Sequence, residues 1–376
     1  MRLHIAGMGW VTPLGSGIEA VWERLLRGEE ASASAIAGPF ENRSYCAFRV
    51  PAEALAGLPA HPRLRRADSI SRFAVAAGMA ALADARSTIN REFIDRTALV
   101  LAVSNGGVSY TKRFYHDIVK TGAGSASPLL FPETVFNAPA SHLAAVLGLT
   151  GASYTLVGDG SVGILAIQMA EDLMAGEAID YCLVVGAEEV DWVLCDGYHK
   201  WRLTRAEPPI EPFGKPSRGT ILSEGGGALL LARQGSIVIE KIHPGGNFAE
   251  RDEASHWATK ILSELTSHTA SAIISSANGT FIDDAERAAV LQGAPQANVY
   301  GPKPALGESV GANGIWQVMI GALAARTRRL PPVLHARPDT GLRLSRRETK
   351  IDKPDAVVLD CGLNQQIAGL RLSANN

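Results

Sequence analysis

The chain from Val162 to Val185 reads VGILAIQMAEDLMAGEAIDYCLVV. Its first part carries three polar residues, Gln168, Glu171 and Asp172, whose spacing puts them on one narrow stripe of a helix. Every other position up to residue 175 is apolar or glycine. So wide an apolar face predicts a helix buried between two layers. Residues 177–180 then lead into an apolar run that predicts a strand.

Short apolar runs and longer Ala/Leu-rich stretches alternate along the rest of the chain. Strands are predicted at 98–103, 182–185 and 356–359, and helices at 73–85, 162–175 and 314–325. This alternation is typical of an α/β protein whose sheets are covered by helices on both faces. A turn rich in glycine and serine precedes a buried helix at 158–175 and again at 307–325. We therefore expect a fold of two similar halves.

Composition excludes several classes of partner. The chain has 376 residues, 46% of them hydrophobic and 20% charged, and a formal net charge of −2. This near-neutral charge gives no reason to expect a nucleic acid partner, and no apolar run approaches the roughly 18 residues of a membrane span. The first residues lack the layout of a signal peptide, so we expect a cytoplasmic protein. The four cysteines are scattered without a C-x-x-C pair, so neither a metal site nor a cofactor is expected.

Six motifs occur in a fixed order along almost the whole chain. They lie at residues 5–28, 131–149, 163–188, 212–227, 277–280 and 303–314. In this order they resemble the β-ketoacyl-acyl-carrier-protein synthases, whose P-F-D-x-x-R-x-G and G-E-G-A-G signatures match the fourth motif. The resemblance implies a thiolase-like fold of five layers, α-β-α-β-α, made of two related halves. We expect these halves at residues 1–230 and 231–376, packed as one compact unit.

The resemblance also locates the nucleophile of the family. A condensing enzyme first takes an acyl group onto its own cysteine thiolate, which the N-terminus of a buried helix stabilises. In the family this cysteine lies in a T-A-C-x-S-G turn. With Gly163 as the anchor, the matching position here is Gly160, and glycine cannot form a thioester. A shift of one residue brings Asp159 or Ser161 to this position, and neither carries a thiol.

The second step of condensation decarboxylates a malonyl thioester, and two histidines of the family stabilise the developing oxyanion. The A-H-G-T motif has Asn278 in place of its histidine, and the K-x-x-x-G-H motif has Glu308 after the retained Lys303. A carboxylate at Glu308 has the wrong sign for this role unless it is protonated. The G-F-G-G gating loop of the family matches Gly362-Leu363-Asn364-Gln365, so its phenylalanine is replaced too. No intact catalytic residue is therefore expected.

Some of these residues allow a second interpretation. Ser161 could be a nucleophile, because residues 159–163 differ from G-x-S-x-G only at the first position. No histidine in a neighbouring motif is available to activate it, so we favour Asp159 or Ser161 as a cap of the following helix. Glu308 could be a general base, but an ion pair with Lys303 or another cation is favoured.

Two functions are consistent with the loss of condensation. The resemblance implies, first, a chain-length factor, the non-catalytic subunit that pairs edge to edge with an active ketosynthase in type II polyketide or fatty-acid biosynthesis. Known chain-length factors commonly carry glutamine at the cysteine position, so Gly160 indicates a separate branch, for example one of aryl-polyene type. The second function is a malonyl-thioester decarboxylase or a hydrolase that uses the remodelled pocket. A homodimer that binds acyl chains or carrier protein without reacting is a third possibility.

Basic clusters offer a possible contact with an acidic acyl carrier protein. The first cluster contains Arg63, Arg65 and Arg66 and falls where active family members present a carrier-docking helix. The alternative is an ordinary solvated surface.

Overall fold

Strands and helices alternate along the chain, as the apolar pattern predicts. The computed structural model describes residues 2–39, 43–266 and 270–375. Its strands are β1 (Leu3–Thr12), β2 (Gly15–Ser16), β3 (Ala33–Ala37), β4 (Ser44–Phe48), β5 (Thr97–Val103), β6 (Ser153–Val157), β7 (Tyr181–Glu188), β8 (Leu222–Ser223), β9 (Gly225–Ala232), β10 (Ile237–Asn247), β11 (Ala272–Ile274), β12 (Asn298–Tyr300), β13 (Arg329–Leu330), β14 (Arg343–Leu344), β15 (Thr349–Lys350), β16 (Asp355–Cys361) and β17 (Gln366–Ala374). Its α-helices are α1 (Ile18–Leu26), α2 (Ser69–Asp84), α3 (Arg91–Asp95), α4 (Val108–Thr121), α5 (Ala138–Leu147), α6 (Val162–Met174), α7 (Trp192–Lys200), α8 (Glu253–Thr266), α9 (Ile282–Gly293), α10 (Lys303–Leu306) and α11 (Val310–Thr327).

Two groups of five strands with the same topology form most of the central sheet. Their orders are β6-β5-β7-β9-β1 and β12-β11-β16-β17-β10. In each group the first three strands are parallel, the fourth pairs antiparallel to the third, and the fifth pairs antiparallel to the fourth. The groups meet where Leu3–Ile5 of β1 pairs with Ile237–Ile239 of β10. The expectation of two similar halves is thus confirmed. The chain crosses between them at 233–236, and their division into domains at residue 230 stays a prediction.

Helices α6 and α11 form the layer between the two groups. Helix α11 contacts strands of both groups, and every residue from Val310 to Ala325 is buried. The two helices touch where Gly163 faces Ile315, since a Cβ built at Gly163 would lie 2.9 Å from the backbone nitrogen of Ile315. Helices α2 and α5 cover the outer face of the first group, and α8, with α9 packed beside it, covers that of the second. This arrangement gives the five layers that the resemblance implies.

The predicted helix bounds hold most closely where the apolar pattern is strongest. Helix α6 begins at Val162, as predicted, whereas α2 begins at Ser69, four residues before the predicted start. Helix α2 starts earlier because Asp68 caps it. The Asp68 side chain accepts a hydrogen bond of 3.0 Å from the Ser71 amide. No helix among the described residues is long and apolar enough to cross a membrane.

The topology brings four loops together at one end of the central layer. They are the turns before α6 and α11, which are corresponding connections of the two halves, and the loops after β11 and β16 of the second half. Loops at the carboxyl ends of parallel strands are the usual place for a site in such sheets. The predicted site residues 159–161, 278, 303, 308 and 362–364 all lie in or next to these loops.

Candidate functional site

Gly160 lies buried beneath the loop that follows β16. A Cβ built at Gly160 would lie 3.0 Å from the Cα of Gly362 and 3.9 Å from a carboxylate oxygen of Asp360. The first distance is tighter than an ordinary van der Waals contact, so the loop leaves no free space for a side chain at this position. The position that matches the nucleophile of the family is therefore filled by main chain.

Asp159 binds the loop after β16 rather than the helix that follows it. Its Oδ2 accepts hydrogen bonds from the backbone amides of Asn364 (2.7 Å) and Gln366 (3.3 Å). Its own amide donates to the side-chain oxygen of Gln366 at 3.3 Å. Burial raises the pKa of Asp159 to about 6, although these hydrogen bonds oppose the shift.

The interpretation of Asp159 or Ser161 as the cap of α6 is wrong. Ser161 occupies the N-cap position, but its side chain makes no capping hydrogen bond. Its hydroxyl is fully buried and has no hydrogen-bond partner among the described residues. A backbone hydrogen bond is present at the start of the helix instead, since the amide of Val162 donates to the carbonyl of Asp159 at 2.9 Å. The same absence of a partner means that no base contacts the Ser161 hydroxyl to activate it.

The Glu308 side chain is the centre of a buried network. Its Oε1 accepts from the Lys303 ammonium at 2.8 Å and from the Asn313 amide, and its Oε2 accepts from the Asn278 amide at 2.6 Å. The ion pair expected between Glu308 and Lys303 is thus present, with side chains that are 5% and 2% exposed. The Asn278 carbonyl in turn accepts from the Thr280 hydroxyl at 2.6 Å. A buried ion pair of this kind is stable only where such additional hydrogen bonds complete it.

Sequence reasoning missed two members of this cluster. Asn313 interrupts the small-residue sequence at the start of α11, and Asp360 interrupts the apolar run of β16, so both were visible as isolated polar residues. Asp360 is fully buried, and neither of its carboxylate oxygens has a hydrogen-bond partner within the described residues. Burial raises its pKa well above the ordinary value, against the nearby charge of Lys303, and the carboxylate of Glu308 raises it further.

The structure also brings a thiol near the position of the nucleophile. Cys361 is adjacent in the chain to Gly362, which packs on Gly160, although the sequence separates it from residue 160 by about 200 positions. Burial raises the pKa of the Cys361 thiol well above its ordinary value, and the carboxylates of Glu286 and Asp159 raise it further. A thiol that resists ionisation in this way is a poor nucleophile.

Two small spaces with shared lining residues lie near the Glu308 network. The outer one is a cleft of about 200 Å³ whose lining includes Asn105, Tyr198, Trp201 and Asn364. Asn105 and Tyr198 also line an inner space of about 10 Å³ that reaches Glu308. That inner volume is about the space of one water molecule. Gly160 lines neither space, and Leu363, at the position of the gating phenylalanine, is buried in the core.

A second cavity, of about 520 Å³, opens on the outer face of α4. Its lining includes Val108, Tyr115, Val119, Phe136 and Val193 and is mainly apolar. Eight large hydrophobic side chains between residues 115 and 157 are exposed. They are Tyr115, Val119, Leu129, Phe131, Val135, Phe136, Tyr154 and Val157. Three of them, Tyr115, Val119 and Phe136, line this cavity, and exposed apolar side chains gathered in this way are typical of an interaction surface.

Two further groups of polar side chains lie away from this cluster. Arg63, Arg65 and Arg66 are exposed on and next to a single turn of 3₁₀ helix, Pro62–Arg65. His142 is buried and contacts the Glu133 carboxylate at 2.8 Å, so it has a structural partner. No group of three or more histidine, cysteine or carboxylate side chains suited to a metal ion occurs in the part of the chain that the structure describes.

Comparison with known families identifies the class of protein. Residues 2–236 match the family model described as "Beta-ketoacyl synthase, N-terminal domain". This match covers more than half of the chain, so the protein belongs to the β-ketoacyl synthase family. The resemblance inferred from the six motifs is confirmed.

Individual relatives are more distant. The 3-oxoacyl-[acyl-carrier-protein] synthase 2 of Vibrio cholerae is 25% identical over 239 residues, which cover 61% of this chain and 57% of that protein. The match thus spans little more than half of this relative's length. The protein of the same name from Rhizobium meliloti is 25% identical over 397 aligned positions, which cover 93% of this chain and 91% of that one. Among solved structures, the ishigamide ketosynthase/chain length factor has a TM-score of 0.87 at 20% identity and covers 100% of this chain and 99% of its own, a likeness of fold.

Proposed function

We propose that the chain is a non-condensing partner subunit of an active ketosynthase and acts as a chain-length factor. The pathway class would be type II polyketide or fatty-acid biosynthesis of the aryl-polyene kind. The observation that carries the proposal is the state of the three positions that perform condensation in the family. Gly160 is a buried glycine, and the Glu308 carboxylate accepts hydrogen bonds from both Asn278 and Lys303 in a buried network.

The geometry argues against condensation by this chain alone. The acyl group must be held as a thioester, which requires an accessible thiolate. The four described cysteines are free thiols, and Cys361, which lies beside the Gly160 turn, is fully buried with a raised pKa. Free cysteines also agree with the cytoplasmic location proposed here.

The geometry also disfavours the decarboxylase and the hydrolase. Decarboxylation needs donors for the enolate oxygen, and Asn278 and Lys303 are the candidates. Both donate to the Glu308 carboxylate, so an enolate bound by them would lie beside a buried group of like charge. A hydrolase based on Ser161 would need a base, and the Ser161 hydroxyl contacts none within the described residues.

The surface supports a dimer formed through the first half of the sheet. Within residues 2–39, 43–266 and 270–375, strand β6 ends the sheet and pairs only with β5, so one side of its backbone is left open. Open edges are avoided on monomeric proteins unless they are short, charged or covered. The β6 side chains Tyr154 and Val157 are exposed, and the apolar face of α4 belongs to the same half. We propose that a ketosynthase subunit continues the sheet at β6 and covers these side chains.

We extend the proposal to the carrier protein. Arg63, Arg65 and Arg66 form an exposed cluster of one sign of charge, which would attract an acidic acyl carrier protein. Replacing all three with glutamine is expected to weaken carrier binding to the complex, with a larger effect at low salt.

Co-expression tests the proposal. With the ketosynthase of its own gene cluster, the chain should co-purify at about 1:1, and light scattering should give the mass of one heterodimer. Val157→Lys places a charge on the exposed edge of β6 and should abolish co-purification. Leu291→Lys changes a similarly exposed apolar residue on α9, in the other half, and should leave the complex intact.

The purified chain alone should release no CO₂ from malonyl-carrier protein. Release of CO₂ at a rate that Lys303→Met abolishes would contradict the proposal and favour the decarboxylase. A stable homodimer that does not bind the ketosynthase would favour the third possibility, a binding protein without a catalytic partner.

A further inference from the structure

The loop between β16 and β17 is held at both of its ends by hydrogen bonds. It contains residues 362–366 and is called here the cover loop, because it lies over Gly160. The Gly362 amide donates to the Gln366 carbonyl at 2.7 Å and closes the loop on itself. Gln365 adopts a left-handed φ of 76°, a conformation that its position in this tight turn imposes.

Neighbouring elements bind the tip of the cover loop. The Gln365 carbonyl accepts from the Phe248 amide at 2.9 Å, and the Gln365 side chain donates to the Ala249 carbonyl at 2.7 Å. The Asn364 side-chain amide donates to the Tyr198 hydroxyl at 3.4 Å. These contacts fix the outer side of the loop but leave the inner amides of Asn364 and Gln366 to another partner.

Asp159 is that partner. One carboxylate oxygen accepts from both inner amides, and the Asp159 amide returns a hydrogen bond to the Gln366 side chain. A Cβ built at Gly362 would lie 1.9 Å from the same oxygen, so a residue with a side chain at 362 is incompatible with this position of the carboxylate. Asp159 and Gly362 therefore fit each other across the two halves of the molecule.

We infer that Asp159 is a latch that keeps the cover loop closed as a fixed wall over Gly160. Asp159 is a positioning residue in this role, since it acts on the loop and contacts no substrate. Without its carboxylate, the partly buried amides of Asn364 and Gln366 would lose their acceptor, and the closed position would lose its inner attachment. The inference does not depend on the proposed partner, because every contact that it uses lies within one chain.

Hydrogen–deuterium exchange tests the latch in the full-length chain. The amides of Asn364 and Gln366 should be protected in the natural chain. Asp159→Ala should speed exchange across residues 362–366 by about tenfold or more, as expected for the loss of one or two hydrogen bonds. Asp159→Asn should keep the protection, because its carbonyl oxygen can accept the same amides. Ser161→Ala, two residues away, removes a hydroxyl with no partner and should leave the loop unchanged.

A native cysteine gives a second measurement of the same opening. Cys361 precedes the cover loop and is buried, whereas Cys182 is buried within β7 and has no contact with the loop. Alkylation by iodoacetamide, followed by peptide mass spectrometry, should be severalfold faster at Cys361 in Asp159→Ala than in the natural chain. The rate at Cys182 should stay the same, which separates loop opening from global unfolding.

Two results would overturn the latch. One is a cover loop that already exchanges in the natural chain as fast as an exposed loop, and the other is unchanged exchange and alkylation in Asp159→Ala. If Asp159→Ala does not fold, Cys182 becomes reactive as well. Asp159→Ser then replaces it, because a serine hydroxyl is too short to reach the loop amides, and equal protection in the serine variant and the natural chain would equally overturn the inference.

Discussion

The turns that lead into α6 and α11 occupy equivalent places in the two halves, yet they are stabilised in different ways. The turn before α6 has glycine at residue 160, and its Asp159 carboxylate binds backbone amides of the other half. The turn before α11 has Glu308, whose two oxygens are bound by three side chains. Each turn has a buried serine hydroxyl without a partner among the described residues, Ser161 in the first and Ser309 in the second. The carboxylates differ, since one oxygen of Asp159 has no partner whereas both oxygens of Glu308 have partners.

This difference shows what each turn requires. A charge introduced at Glu308 requires donors around it, and Lys303, Asn278 and Asn313 supply them. A glycine at residue 160 requires no donor, but it needs main chain to fill the space, and the cover loop does so. Removing a side chain should therefore destabilise the turn before α11 most, whereas adding a side chain should destabilise the turn before α6.

The largest effect is expected at Lys303. Lys303→Met leaves the Glu308 carboxylate buried with its charge unpaired, which should cost about 3–5 kcal/mol of unfolding free energy. Urea denaturation followed by circular dichroism measures this cost. The double variant Lys303→Met with Glu308→Gln should recover most of it, because a neutral side chain no longer needs the ammonium. Lys350→Met, at an exposed lysine, is the matched control and should change stability by less than about 0.5 kcal/mol.

The first turn should respond to pH through Asp159. Burial raises the pKa of Asp159 to about 6 in the folded chain, from an ordinary value of 3.8. The folded state therefore binds the proton more tightly than the unfolded state between these values, and its stability falls as pH rises through this window. Asp159→Asn removes this dependence. Its stability relative to the natural chain should rise by up to about 3 kcal/mol between pH 3.5 and pH 7, at 1.36 kcal/mol per unit of pKa.

Unfolding of both chains at a series of pH values measures this difference, and a constant gap across the range would contradict it. Other buried carboxylates contribute the same pH dependence of stability to both chains, so their contributions cancel in the difference. Burial raises the pKa of Glu188 and Glu286 to about 7 and that of Glu189 to about 8. The absolute stability of the natural chain should accordingly fall as pH rises from 4.5, the ordinary value for glutamate, to about 8.

Adding a side chain at Gly160 should change stability less than the Lys303 and Asp159 substitutions do. Gly160→Ala brings a methyl group to 3.0 Å from the Cα of Gly362 and should cost about 1–3 kcal/mol, the usual range for overpacking. A Cβ at Gly176 meets nothing within 4 Å, so Gly176→Ala is the control and should be neutral. Gly160→Cys should likewise destabilise the chain, and it should create no condensing activity with malonyl-carrier protein, because Asn278 and Glu308 remain. Condensation by this variant would contradict the account of the second turn.

The fold could be predicted from the sequence because the apolar face of α6 marks a central helix and the six motifs keep their order along the chain. The meeting of Gly160, Asn278 and Glu308 at one end of the central layer follows from these motifs too, since each residue lies in or next to one of them, whereas the loss of the reactive residues stays a prediction. The partners of Asp159 could not be predicted, since they lie 205 and 207 positions away and bind through backbone amides that carry no sequence signal. The sequence instead predicts that Asp159 or Ser161 caps α6, because the side chain of a polar residue before a helix usually accepts a hydrogen bond from an amide of the first turn.

The smallest change in stability is expected from Ser161→Ala. This variant tests whether main-chain contacts, rather than side chains, stabilise the turn before α6. Its buried hydroxyl has no partner among the described residues, so its removal should cost little, and the penalty of burying an unpaired polar group disappears with it. Ser161→Ala should change the unfolding free energy by less than about 0.5 kcal/mol, or stabilise the chain slightly. Output of the pathway in cells should also stay nearly unchanged. A loss of more than about 1 kcal/mol, or a collapse of output at unchanged protein level, would mean that this hydroxyl has a partner or a reaction of its own.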